Sequence, residues 1–162
     1  MLVTEPFLTP TGSITIYEDD DEDDWGTTTT RTTKKLKGQP MTLFDHEKLD
    51  VYQLELAFIG WVTTLFEELK DRKAARIAEV CDHLDRASLS SLFNTAEGNG
   101  KRQRATRAKF FDDARGSATE CAGCLDALVA KRVANAERLI EGKQMLVRIV
   151  GMLTKLVQRF SD

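Results

Sequence analysis

Between residues 101 and 109 the chain reads Lys101-Arg102-Gln103-Arg104-Ala105-Thr106-Arg107-Ala108-Lys109, five cations in nine residues with no carboxylate. Guanidinium and ammonium groups at this density are the side chains that hold phosphate, Arg as a two-pronged donor and Lys as a point charge. The position sharpens the reading, because the segment opens a helix. A helix N-terminus carries partial positive charge, so each exposed cation there costs roughly 0.3–1 kcal/mol where an acid would stabilise. Lys101, Arg102, Arg104, Arg107 and Lys109 therefore point to an anionic partner, with phosphates the natural candidate. Without interleaved aromatics the pattern favours contact with a nucleic-acid backbone over reading of bases. The plain alternative is a solvated basic turn, or ion pairs with acids of another helix such as Asp82 or Asp85.

Other residues that could do chemistry fall short of a complete set. Cys121-Ala122-Gly123-Cys124 is a C-x-x-C, but structural zinc needs four ligands and only Cys81, His46 and His83 remain, with no second pair at ligand spacing. A redox pair wants a βαβ setting and a helix N-terminus, whereas this one falls mid-helix with Cys121 on an apolar stripe, so core filling is expected. Gly98-Asn99-Gly100-Lys101 hints at a phosphate loop, yet Thr95 and Arg102 stand where that motif needs Gly and Ser or Thr. A di-metal carboxylate bundle needs Glu-x-x-His pairs, and Leu43 and Val80 precede His46 and His83 instead. There is no nucleophile elbow or triad signature. No catalytic residue, metal site or cofactor is expected, and the protein reads as a non-enzyme.

The elements that position the basic segment follow from composition. The chain has 162 residues, 41% hydrophobic and 30% charged, with a net charge of −3. That is one foldable domain plus a tail, and it excludes a globally basic nucleic-acid binder without excluding a local basic patch. No apolar run reaches the roughly 18 residues of a membrane span, and no secretory signal opens the chain. A cytoplasmic location with three reduced thiols is the expectation.

Residues 1–42 differ from the rest. They hold all three prolines, the acidic run Glu18 to Asp24, and eight acids against four bases. Such a segment buries too little apolar area to offset its ordering entropy, and is expected to be a disordered acidic, Thr-rich extension. Ser13 to Tyr17 alternates like a strand but has no partner to pair with. Met41 stands at the boundary and is an alternative start. The acidic run either solubilises the chain or folds back on the basic patch as a competitor.

Residues 43–162 contain no proline and repeat their apolar positions at the helical period. Four helices are expected, about 45–69, 72–97, 104–131 and 137–160. Their stripes run through Val51 to Leu69, then Ile77, Leu84, Ser88 and Leu92, then Ala108, Phe111, Ala114, Ala118, Cys121, Leu125 and Leu128, and last Ile140, Leu146, Val147, Val150 and Leu153. Gly98 to Gly100 offers a stop for the second. Matched lengths and short connections make an all-α, antiparallel up-and-down four-helix bundle. The first helix is apolar round most of its circumference. In a bundle no helix is central, so Leu54, Phe58 and Trp61 are expected at an interface between copies, making the protein a homo-oligomer.

Several of these residues resemble the bacterial four-helix-bundle proteins encoded by intervening sequences of 23S ribosomal RNA. The resemblance lies in Leu49-Asp50-Val51-Tyr52-Gln53-Leu54, in Asn94-Thr95-Ala96-Glu97-Gly98-Asn99-Gly100-Lys101-Arg102, and in Phe110 followed by Ala114-Arg115-Gly116-Ser117 and Glu120. It covers about residues 44–160 and has no counterpart for the extension. It implies a homopentamer of up-and-down bundles with no catalytic residues to carry over. Gly116, which costs a mid-helix roughly 1 kcal/mol against Ala, would then allow close helix approach. A related group, the accessory proteins of diversity-generating retroelements, implies association with a reverse transcriptase and nucleic acid. The chain departs from the family pattern at Arg107, where an aromatic is usual, and at Asp112, Asp113 and Cys121, where Leu or Ile is. The function expected from all this is binding of RNA or a nucleoprotein through the Lys101–Lys109 patch. The alternative is a protein–protein adaptor docking on a reverse transcriptase.

Overall fold

A computed structural model describes residues 44–70 and 74–161, and within those the side chains of 74–76 are left aside. The expected extension, its Ser13–Tyr17 stretch and the Met41 boundary lie outside the described residues. The chain opens with a 3-10 turn over Asp45–Lys48 and continues as four α-helices. These are α1 (Asp50–Leu69), α2 (Ala74–Gly100), α3 (Arg104–Ala130) and α4 (Ala136–Ser161). Packing runs from α1 to α2, α2 to α3, α3 to α4 and α4 back to α1, so each helix lies against its two neighbours. The architecture is an all-α, up-and-down four-helix bundle.

Local signals explain where the helices start and stop. Asn135 caps α4: its side-chain oxygen accepts the Arg138 amide at 2.9 Å, and Glu137 lies in the first turn where a negative charge is favoured. The C-terminus of α3 closes as a Schellman motif. The Val133 amide bonds to the Leu128 carbonyl at 3.1 Å and the Arg132 amide to that of Val129 at 2.8 Å. That turn needs a left-handed residue, and Arg132 supplies it at φ 57°. The second helix, expected to stop at Gly98 to Gly100, ends there, at Gly100. Gly98 itself is buried beneath α3, and a Cβ there would come within 3.0 Å of Phe110 Cβ and 3.2 Å of the Phe111 ring.

The core runs the length of the bundle and draws on every helix, with Leu65, Leu84, Leu125, Leu128 and Leu153 all fully buried. The seven-residue stripe expected on α3, from Ala108 to Leu128, is buried throughout. Two expectations for α1 and α4 are corrected. Phe58 and Trp61 are only 2% and 8% exposed within a single chain, and Leu54 packs half-buried against the same core. Phe58 and Trp61 are thus covered within the chain and give no exposed interface, while Leu56 of the same arc stays 42% exposed. Conversely, Ile140 and Val147 turn outward at 51% and 72% exposure, and Leu139, Gly142 and Ile149 take the inward positions. Gly142 does so because the Trp61 indole lies directly on it. The α1 and α4 ends are tied by Arg138, whose guanidinium donates to both carboxylate oxygens of Glu68 at 2.7 and 2.8 Å and lies 5.2 Å from the Trp61 ring.

Candidate nucleic-acid interface

The basic segment forms the corner where α2 ends and α3 begins, and α4 brings its last turn to the same place. Gln103 is the N-cap of α3 in an extended conformation and makes no capping bond with its side chain. No acid stands in the first turn. The positive end of the helix is therefore neither capped by a side chain nor neutralised.

The cations sort into two sets. Lys101 and Lys109 are each matched by a carboxylate of their own helix or its neighbour, with Glu97 at 2.7 Å and Asp113 at 2.7 Å. Both also flank the Phe110 ring, at 4.8 and 5.7 Å from its centre. The hydrogen bond and charge of Asp113 hold the Lys109 ammonium above its ordinary range. The alternative of ion pairs with Asp82 or Asp85 does not occur; the two lysines pair locally instead.

Among the described residues the arginines of this corner meet no carboxylate. Arg104 donates to the Arg159 carbonyl at 2.5 Å, and Arg107 donates to the Asn99 side-chain oxygen at 3.0 Å. The Nε of Arg107 is buried without a partner. Arg102 is exposed, and among the described residues nothing bonds to its side chain. Arg104, Arg107 and Arg159 surround one ring, Phe160, at 5.6, 4.4 and 5.7 Å. Phe160 in turn stacks on Phe111 at 5.8 Å. The sequence did not place Arg159, Phe160 or Phe110 with the cations, among which it showed no interleaved aromatics. Phe110 directly follows the segment, but Arg159 and Phe160 arrive from the far end of the chain. Their signal was a basic-aromatic pair closing the last helix.

The remaining sequence-highlighted residues do not join this corner as one site. Tyr52 meets the His46 ring edge-on at 4.8 Å. Ser117 bonds to the Ser90 hydroxyl at 3.1 Å, which holds α3 to α2. Glu120 faces His83 at 3.5 Å. Gly116 is exposed, and a Cβ there meets nothing within 4 Å, so no close approach inside the chain requires it. Cys121 and Cys124 lie in the core. Burial pushes the Cys121 thiol up to about 12, far from a reactive thiolate. Among the described residues no cluster of His, Cys, Asp or Glu is placed to hold a metal ion. No helix among them is long and apolar enough to cross a membrane.

An up-and-down bundle of four long helices, presenting one basic, aromatic-backed corner, sets the structural class. Within that class the chain belongs to the 23S rRNA-intervening sequence protein family, whose model matches residues 47–155. The match takes in the basic corner except for Arg159 and Phe160. No curated protein matches the sequence well enough to be named beside it.

Proposed function

We propose that this protein is a non-enzymatic, oligomeric helical bundle that holds RNA by its phosphate backbone at the α2–α3 corner. The observation that carries this reading is the N-terminus of α3, with no capping side chain or acid and with Arg102, Arg104, Arg107 and Arg159 around it. Four guanidinium groups that have no carboxylate partner among the described residues, beside amides that lack a capping side chain, suit phosphate oxygens better than any neutral ligand. The Phe160 ring orients three of the four and limits their loss of freedom on binding.

The oligomer is supported by the outer line of α4. Positions 140, 144, 147, 151 and 154 follow helical spacing and carry Ile, Gln, Val, Gly and Thr, without a charge. Copies joined there would repeat the corner and multiply its field. Five copies, as the family resemblance implies, is the number we propose. The same exposed Val147 and Ile140 also favour the second reading, an adaptor docking on another protein such as a reverse transcriptase. A cytoplasmic setting suits either.

Reversing Arg102, Arg104 and Arg107 together to Glu tests the leading reading. We expect loss of salt-sensitive binding to a labelled RNA hairpin in fluorescence anisotropy, with helical circular dichroism unchanged. Unaltered binding by the folded variant at low salt overturns it. Light scattering on the purified protein gives the copy number.

A further inference from the structure

A buried carboxylate of the bundle lies outside the basic corner. Glu55 of α1 is 2% exposed, in the middle of the apolar stripe. Its Oε1 is 2.6 Å from the Ser91 hydroxyl and 2.9 Å from the Thr95 hydroxyl, both on α2. Ser91 Oγ is also 3.1 Å from the Ala114 carbonyl of α3. Ser91 and Thr95 are themselves buried, and Glu55 Oε2 has no partner.

We propose that Glu55, Ser91 and Thr95 form a proton-operated latch, clamping α1 to α2 and α3 while the carboxyl is neutral and loosening α1 when it ionises. The available hydrogens decide which helices are joined. Ser91 has one hydroxyl hydrogen and two oxygens in reach. If Glu55 is neutral, its own O–H donates to Ser91 Oγ, which passes its hydrogen on to the Ala114 carbonyl. The chain then links three helices. If Glu55 is ionised, both hydroxyls must turn to Oε1, the link to α3 is lost, and Oε2 is left charged and buried with no donor. A buried charge in that condition is far costlier than a buried neutral oxygen.

The surroundings offer the charged form no help. On α2 the groups facing Glu55 are the two hydroxyls, and on α3 the ionisable neighbour is the Cys121 thiol. The buried positions of α4, Leu139, Gly142, Leu146, Ile149 and Leu153, are all apolar. Burial accordingly raises the Glu55 carboxyl from 4.5 to about 7, against the smaller opposing effect of the two hydroxyls. The folded state then holds a proton that the unfolded chain has released. The advantage of the neutral latch is complete below about pH 4.5 and is lost as pH rises to about 7.

The test follows the full chain and a Glu55→Gln variant, which keeps an oxygen for both hydroxyls but has nothing to titrate. The folding constant of the wild type, divided by that of the variant, should fall by up to about tenfold per pH unit between those two values and level off beyond. In wild-type protein labelled with 13C at glutamate side chains, one carboxyl should titrate near neutral pH. Amide exchange in α1, corrected for intrinsic rates, should quicken over the same range. Parallel pH profiles for the two proteins, or a Glu55 carboxyl titrating with the surface glutamates, overturn the latch. If the variant does not fold, the wild-type carbon titration decides alone.

Discussion

The guanidinium of Arg107, in the first turn of α3, lies 4.4 Å from the centre of the Phe160 ring in the last turn of α4. Residues 53 positions apart are joined at the point where an anionic ligand would dock, and Arg104 and Arg159 share the same ring. Removing the ring leaves the charges but not their arrangement. Phe160→Ala should weaken RNA binding about fivefold, the equivalent of about 1 kcal/mol, while the salt dependence of binding stays close to that of the parent. Anisotropy titrations at two salt concentrations measure both quantities.

Two glycines inside helices should respond to the same substitution with opposite sign. Gly142 lies under the Trp61 indole, with no room for a methyl group. Gly142→Ala should destabilise the bundle by about 1–3 kcal/mol, as overpacked cores do. Gly60 lies mid-helix in α1 with nothing within 4 Å of a Cβ. Gly60→Ala should stabilise by about 0.5–1 kcal/mol through backbone entropy alone. Urea denaturation followed by circular dichroism distinguishes the two.

The turn after α3 carries a residue its geometry does not favour. Arg132 adopts φ 57° where a Schellman motif is usually served by glycine. Arg132→Gly should raise stability by about 1 kcal/mol, with an unchanged helix content. A lowered melting temperature would mean that the arginine side chain matters more than its backbone.

Much of this architecture was legible before any coordinates. The period along α3 located seven of its eight buried residues, all but Cys124, because a stripe of small and apolar residues on one face admits few other readings. The ends of α3 and α4 fell within a residue of expectation. What escaped were features set by packing between distant segments. Gly98 to Gly100 reads as a stop, and α2 ends there, but the cover that Phe110 and Phe111 lay over Gly98 is not visible from the stop itself. Phe58 and Trp61 read as surplus apolar surface because sequence alone does not show α2 and α4 flanking α1 on both sides. Glu55 is not marked out by any motif. Its spacing, four after Val51 and three before Phe58, put it on the buried stripe, and Ser88, Ser91 and Thr95 repeat that spacing on α2. Of the corner, the contiguous cations were visible. Arg159 and Phe160 were not, since only the bundle brings the last turn of α4 beside the first turn of α3.

Arginines that hold phosphates at one corner must make RNA binding depend on salt in proportion to their number. Four such groups per copy should give a slope of log K against log salt near −3 for each corner engaged, about 0.7–0.9 per phosphate neutralised. The folded Arg102, Arg104 and Arg107 triple reversal to Glu should bring that slope close to zero. A slope near zero for the wild type, or one that the reversal leaves unchanged, would contradict the account.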